Sequence, residues 1–280
     1  LGETKICLHL TIIINLLHFI ASFVFINLLR LDIMGSVLSL NLARVVGGIA
    51  AVWMLLSPKS VLRVQARHVF RIDKKIIREI FRIGIPFGME QLFMNGGSML
   101  VQIYIARLGT MNVAANAVAN SAFSLLYAAP SAVGTLAVTV VGQCVGAGDR
   151  GLARRYGKGM VKLGTAINVL ALAVLLPLLP FILKLYQAPD NTLTMIYTVL
   201  AIAAVCMPFF WPSSNTMPSV LRSAGDAAFS SYFSLVTMWA IRVGLGYVFA
   251  IPLGLGLPGV WICMCLEWAV RTAVFWKRSR

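Results

Sequence analysis

Long apolar runs separated by short polar connectors make up most of the sequence. A helix that crosses a bilayer needs about 20 mainly apolar residues, and eight runs approach or exceed this length. The connectors carry the Gly, Pro, Asn and Asp residues that favour turns. The pattern therefore predicts an all-α polytopic membrane bundle of about eight transmembrane helices. The predicted spans are residues 6–28, 35–57, 84–106, 113–142, 160–183, 195–220, 229–251 and 258–276.

The composition excludes a soluble globular domain. Hydrophobic residues make up 59% of the 280 residues, charged residues make up 12%, and the mean hydropathy is +0.87. Because a soluble domain carries about 25% charged residues, most of this surface must face membrane lipid. The net charge of +15 does not indicate a nucleic-acid partner, since the bases lie in short clusters between apolar runs.

The basic residues alternate between crowded and sparse connectors, and Lys and Arg favour the cytoplasmic side of a membrane. With an even number of spans, this pattern predicts that both termini are cytoplasmic in a multi-pass protein of the plasma membrane, the inner membrane of a bacterium. The crowded connectors hold Lys59, Arg63, Arg67, Arg71, Lys74, Lys75, Arg78, Arg82, Arg150, Arg154, Arg155, Lys158 and Arg222, whereas the alternate connectors hold Arg30, Arg107 and Lys184.

The segment 58–82 is the one long polar stretch between spans. Eight bases alternate there with apolar residues at mixed helical spacing. This pattern predicts an amphipathic helix on the cytoplasmic face, attracted to anionic lipid. A solvated linker between two lobes is the alternative, and the two interpretations are compatible.

The sequence carries no motif for enzymatic chemistry. A phosphate-binding G-x-x-x-x-G-K-[ST] loop is absent. The five cysteines lie in or beside apolar runs, where a free Cys behaves as a small hydrophobe, and no Cys or His grouping has metal-ligand spacing. We therefore expect a carrier that is not an enzyme and that needs no metal or cofactor.

Two acidic residues, Glu90 and Glu267, fall inside the predicted spans, where a charge is costly and indicates function. Glu90 borders a polar stripe at helical spacing, which must line a cavity or pack on another polar face. Its carboxylate could bind Na⁺ or alternate between protonated and charged forms. The alternative is a Glu near the helix start, paired with Arg82 or reaching the interface. The stripe consists of Gln91, Asn95, Ser98 and Gln102.

The next span carries a longer polar stripe. Asparagines can join membrane helices through hydrogen bonds worth about 0.6–2 kcal/mol each. Because the neighbouring span also has a polar stripe, we favour the interpretation that the two line a hydrated passage. The stripe consists of Asn112, Asn116, Asn120, Ser124, Tyr127 and Ser131.

The segment 208–218 contains three prolines, which remove helix hydrogen bonds and free carbonyl groups. An interrupted helix of this kind often marks a substrate site in carriers, and Ser214 and Asn215 are candidates to line it. A proline kink filled by Ser and Thr hydroxyls is the alternative.

A second charged group is predicted to be structural. Glu267 and Arg271 are four residues apart on one helical face, in the favourable acid-before-base order. Arg242 lies in the preceding span and can also reach Glu267. We therefore expect a structural cluster of Arg242, Glu267 and Arg271.

Five segments, in order along the chain, resemble motifs of the multidrug and toxic compound extrusion (MATE) transporters. The segment 221–226 looks like the family's LRGAGD turn, and 239–247 looks like its W-x-x-R-x-P-L-A-Y span, with Gly244 in place of proline. The other three are 83–92, which resembles the opening of the seventh span, 107–117, and 141–149, which resembles a glycine-rich connector.

The resemblance implies a carrier with two lobes of six spans around a central cleft, exporting organic cations by antiport with Na⁺ or H⁺. Residues 1–57 then correspond to the last two spans of the first lobe, 58–82 to the linker, and 83–280 to the second lobe. The missing first-lobe spans are expected in a full-length form. Glu90 matches the membrane Glu of the seventh span, whereas the Asp that some members carry in the tenth span has no match here.

Two other functions are open at this stage. A flippase for a lipid-linked saccharide belongs to the same broader superfamily, but it should carry more bases inside its cavity to hold pyrophosphate. A truncated membrane remnant that does not transport is the other alternative.

Overall fold

The structure, a computed structural model, describes residues 4–56, 74–185 and 189–279, which are almost entirely helical. Residues 57–73, most of the predicted amphipathic linker, lie outside the described ranges. The elements are α1 (Thr4–Phe23), extended by a π-helical turn (Val24–Leu28), α2 (Asp32–Leu56), α3 (Lys74–Arg107), α4 (Thr110–Gly146), α5 (Arg150–Leu185), α6 (Asp190–Ser223), α7 (Ala227–Thr237), a π-helical segment (Met238–Leu245), α8 (Gly246–Ala250) and α9 (Gly256–Arg278).

The predicted class, a polytopic helical membrane bundle, is confirmed. Within the described ranges, seven helices are long and apolar enough to cross a membrane, with α7, the π-helical segment and α8 forming one of them. All eight predicted spans coincide with helices. The span that is not among these seven is the part of α3 over residues 84–106. The mean hydropathy of α3 is lower than that of the other seven helices because α3 begins with basic residues and carries the polar stripe.

The chain divides into two compact units, Leu1–Arg82 and Ile83–Arg280. In the first unit, α1 and α2 pack as an antiparallel pair, and the hydroxyls of Ser22 and Ser39 lie 2.8 Å apart between them. Most apolar side chains on this pair are exposed, which suits contact with lipid or with further helices. The assignment of the two units to two lobes of a larger carrier stays a prediction.

In the second unit, α4, α6 and α9 surround the hydrophobic core. Small side chains on α4, including Ala115 and Ala119, are fully buried and let neighbouring helices approach closely. Phe123 of α4 stacks on Trp268 of α9 with ring centroids 5.6 Å apart. The core therefore fixes the face of α4 that carries the polar stripe.

Helix α6 runs without interruption through Pro208, Pro212 and Pro218, so the interrupted helix that the sequence favoured is not observed. Hydroxyl groups bind carbonyls near the prolines: Ser214 donates to the Trp211 carbonyl, and Thr272 of α9 donates to the Phe210 carbonyl, each at 3.0 Å. Neither carbonyl is one that a proline deprives of its helical N–H donor, since those belong to Ala204, Pro208 and Ser214. The alternative, a proline kink filled by hydroxyls, therefore stays a prediction.

Candidate functional site

Glu90 lies on α3 and is buried, with 6% of its surface exposed. Its Oε1 accepts a hydrogen bond from Nη2 of Arg222, which lies 2.5 Å away in the last turn of α6. The Nε of Arg222 donates to the hydroxyl of Ser230 on α7 at 3.1 Å. One guanidinium group therefore joins α3, α6 and α7 at the end of the bundle where α6 turns into α7.

This partner differs from the one considered from the sequence, Arg82, whose side chain lies outside the described residues. Arg222 is 132 residues from Glu90, so no local spacing connects them. The alternation of basic and sparse connectors could have indicated this pair. It places the start of the span that carries Glu90 and the end of the span that precedes Arg222 on the same side of the membrane.

All four side chains of the polar stripe on α3 are exposed, and one of them also binds a neighbouring helix. Gln91, Asn95 and Ser98 are exposed. Gln102 is also exposed, but its side-chain carbonyl accepts a hydrogen bond from Nδ2 of Asn116 on α4 at 3.1 Å. Exposed amides are costly against lipid, so this face of α3 suits a water-filled passage.

Asn116 is used in packing between helices. Asn116 is buried; its Nδ2 donates to Gln102, and its Oδ1 accepts a hydrogen bond from the indole N–H of Trp261 on α9 at 3.2 Å. Asn120, one turn further along α4, is exposed and donates to the Asn116 carbonyl at 2.8 Å. The structure thus places Asn120 on an outer face and Asn116 inside the bundle.

A polar and aromatic strip, made of Asn120, Tyr127 and Asn215, follows the outer side of α4 and α6. Tyr127 is 36% exposed, and its ring lies 5.6 Å from that of Trp211 on α6. Asn215, one turn beyond Trp211, is exposed and lies beside Gly134 of α4. Ser214 is buried and bonded to its own helix, so it does not belong to the strip.

The structure brings together the three members of the predicted charge cluster. Glu267 is fully buried, with Oε2 lying 2.5 Å from Nε of Arg242 and Oε1 lying 2.7 Å from Nη2 of Arg271. Arg271 also donates to the Thr237 hydroxyl and the Ser234 carbonyl. Arg271 lies within electrostatic range of Glu90 and Arg222, so the two ion-paired groups form one charged region.

Metal chemistry has no support in the described part of the chain, where no group of three or more His, Cys, Asp or Glu side chains could hold a metal ion. The four cysteines described, Cys144, Cys206, Cys263 and Cys265, carry free thiols. The chemistry available at the site is therefore that of carboxylates, guanidinium groups, amides and aromatic rings.

Solved structures share this fold. The chain superposes on a MATE protein in complex with MaL6 with a TM-score of 0.85 and 19% identity, covering 100% of this chain and 63% of that one. It superposes on a MOP superfamily transporter from Pyrococcus furiosus with a TM-score of 0.80 and 20% identity, covering 94% of this chain and 59% of that one.

Sequence comparison identifies the family. A Bacillus subtilis (strain 168) protein described as the uncharacterized transporter YisQ is 30% identical over 289 aligned residues, covering 100% of this chain and 62% of that protein. A probable multidrug resistance protein NorM of Bradyrhizobium diazoefficiens is 26% identical over 198 residues, covering 70% of this chain and 42% of that protein. The MatE family model matches residues 86–248, which is more than half of the chain. The chain therefore belongs to the MatE family, the multidrug and toxic compound extrusion transporters.

Proposed function

We propose that this chain forms part of a secondary active antiporter that exports organic cations, drugs or toxic metabolites in exchange for Na⁺ or H⁺. Transport proceeds by alternating access between two lobes, of which residues 83–280 form one. The chain spans 62% of the length of YisQ, so the activity proposed is that of the whole carrier. The observation that supports it most directly is the buried carboxylate of Glu90 beside the exposed polar face of α3.

The environment of Glu90 suits the binding of a coupling ion. A carboxylate in an apolar bundle is stable only if a cation neutralises it or a proton is added. A Na⁺ ion or a proton at this site would replace the positive charge that Arg222 supplies. Each transport cycle would then alternate between these two ways of neutralising the same carboxylate.

The polar and aromatic strip suits the proposed substrate class. The electron-rich face of Tyr127 attracts an organic cation, and Asn120 and Asn215 offer hydrogen bonds without a fixed charge that would hold the substrate. Such a surface binds varied flat cations weakly enough to release them. We therefore place substrate binding along α4 and α6.

The saccharide flippase is the weaker candidate. Arg242 and Arg271 both contact Glu267, so these two guanidinium groups already neutralise a buried carboxylate within the protein. A site for pyrophosphate needs cationic groups directed at the ligand. Because Arg242 and Arg271 are already paired with Glu267, they favour a carrier of cations over a carrier of pyrophosphate.

The test is efflux of a fluorescent cation from cells that express the protein with any residues its gene encodes before Leu1. Glu90→Gln removes the titratable charge at nearly constant size, and we expect it to abolish efflux that depends on Na⁺ or on a proton gradient. Asp226→Asn is the matched control, because it removes an acid in a partly exposed pair with Arg278 and should leave efflux nearly unchanged. Undiminished efflux in Glu90→Gln would refute the ion site.

A further inference from the structure

Arg222 holds the carboxylate that the coupling ion needs. Its Nη2 contacts Glu90 on α3, its Nε contacts Ser230 on α7, and its backbone belongs to α6. Ser230 is fully buried, so this anchor is fixed within the bundle. The three helices are therefore tied together through one side chain.

The two partners of the ion pair differ in their access to water. The side chain of Arg222 is 31% exposed, whereas that of Glu90 is 7% exposed. A guanidinium group stays protonated in proteins, so the carboxylate is the member whose charge can be cancelled. If a cation or proton neutralises Glu90, Arg222 can turn toward solvent, while Glu90 stays buried.

We infer that Arg222 is a tethered competitor of the coupling ion for Glu90. The guanidinium occupies the carboxylate when the ion is absent, and the ion displaces it and releases α3 from α6 and α7. This inference rests on the proposed function, in which Glu90 binds Na⁺ or H⁺. Arg222 acts as a positioning residue, because it converts occupancy of the ion site into separation of helix ends.

Two other charged groups close to the pair among the described residues have partners of their own. Arg271 of α9 lies within electrostatic range of Glu90, but it contacts Glu267 at 2.7 Å and two groups on α7. Asp226, at the start of α7, lies 2.8 Å from Nε of Arg278. Because Arg271 is bound to Glu267 and Asp226 is bound to Arg278, neither takes over the contact between Arg222 and Glu90.

Distances between spin labels on α3 and α7 test this inference in the purified chain in lipid nanodiscs. Leu92 and Tyr232 are suitable positions, being 68% and 72% exposed, and a ketone-bearing amino acid at each site leaves the native cysteines unlabelled. Two comparisons separate the ions: NaCl against choline chloride at equal ionic strength, and mildly acidic against mildly alkaline choline buffer. Binding of ²²Na⁺ and proton uptake are measured on the same samples.

In the wild-type chain, we expect Na⁺ or acidification to lengthen the main distance by about 1–5 Å, from a small helix shift to nearly one helical turn. Arg222→Gln should show the longer distance under every condition and bind the cation about tenfold more tightly or better, because the competing charge is gone. Arg222→Lys keeps a positive charge and should retain part of the response. Arg278→Gln, which breaks the pair with Asp226 and the contact with the Phe229 ring but leaves Glu90 and Arg222 in place, should respond as the wild type does.

A wild-type distance that ignores both ions, while Na⁺ or protons still bind, overturns the role of Arg222 and leaves the proposed function intact. A full response in Arg222→Gln overturns it as well. Failure of the proposed function has a different result, in which the wild type binds neither ion and Glu90→Gln exports the fluorescent cation normally.

Discussion

Two buried glutamates in the second unit differ in the positive charge that surrounds them. Glu90 contacts one guanidinium group that is partly exposed, whereas Glu267 contacts two and is itself inaccessible to solvent. Because two guanidinium groups already neutralise Glu267, a coupling ion would have to displace both of them. At the scale of single residues, the structure therefore separates a carboxylate suited to function from one suited to stability.

Replacing Glu267 should destabilise the fold. Glu267→Gln leaves Arg242 and Arg271, whose side chains are 23% and 12% exposed, without their carboxylate. Breaking one partner of a buried pair costs about 3–5 kcal/mol of unfolding free energy. Titration with SDS of the detergent-solubilised chain measures this loss. Arg278→Gln is the control, because the side chains of Arg278 and Asp226 are 53% and 31% exposed and pairs that reach solvent contribute about 0–1 kcal/mol. A variant Glu267→Gln as stable as the control would contradict the structural role.

Some of these residues could be predicted from the sequence and others could not. The spacing of Glu267 and Arg271 is a local property of one helix, so the cluster was accessible to pattern analysis. The partner of Glu90 comes from a helix 132 residues away. Likewise, periodicity placed Asn116 and Asn120 on one stripe, but only the position of Trp261 on α9 shows that Asn116 is used in packing.

Among the elements, the π-helical segment Met238–Leu245 is held against α3 by close contacts. The hydroxyl of Tyr104 on α3 donates to the Arg242 carbonyl at 3.0 Å. Gly246 follows the segment, and a Cβ atom there would lie 2.6 Å from the Tyr104 hydroxyl oxygen. The absence of a side chain at Gly246 therefore permits the hydrogen bond that fixes this segment.

We expect Gly246→Ala to lower the free energy of unfolding by about 1–3 kcal/mol, the usual cost of overpacking. Tyr104→Phe removes the oxygen that the new methyl group meets, and the next atom, Cζ, would lie 3.6 Å away. The double variant should therefore be more stable than the sum of the two single changes predicts. Thermal unfolding of the four proteins measures this interaction energy.

Gly96→Ala is the control for the effect of replacing a helical glycine by alanine. Gly96 lies in α3, and a Cβ atom there would meet nothing within 4 Å. Additive effects of Gly246→Ala and Tyr104→Phe would show that the close approach does not restrain the segment.

Helix α6 shows why pattern analysis failed at the scale of an element. Three prolines within eleven residues predict an interruption when only the local chain is considered. Side chains of α9 pack along this region and bind it, since Thr272 donates to the Phe210 carbonyl and Trp276 donates to the Ser213 hydroxyl. Local rules could not include them, because these donors follow about 60 residues later.

Over the described residues, hydropathy predicted the long helices but not the surroundings of each one. Phe181 and Phe209 are 66% and 71% exposed, as expected for side chains that face lipid. Helix α3 falls outside the seven most apolar helices, yet its length and its place between two spans identified it. Its reduced hydropathy comes in part from the exposed polar side chains of Gln91, Asn95 and Ser98.

The charges of the connectors predict the orientation of the molecule in the membrane. An even number of spans, as the sequence predicts, returns the chain to its starting side. The start of α5 carries Arg150, Arg154, Arg155 and Lys158, whereas Arg107, the last residue of α3, is the base at the α3–α4 junction. Since Lys and Arg near span ends are retained in the cytoplasm, we expect the α4–α5 connector and the carboxyl terminus to be cytoplasmic.

Reporter fusions in a bacterial host measure this orientation. Alkaline phosphatase is active only outside the cytoplasm, so it should be active when fused after Gly109 or Gly254 and inactive after Gly148 or Ser279, where green fluorescent protein should fluoresce instead. Replacing Arg150, Arg154, Arg155 and Lys158 by Gln removes the bias at one connector and should give partial phosphatase activity there, while the same number of Gln substitutions at exposed non-basic positions should not. Active phosphatase after Ser279 in the unaltered chain would reverse the predicted orientation, and it would place the end of the bundle that carries Glu90 and Arg222 on the outer side of the membrane.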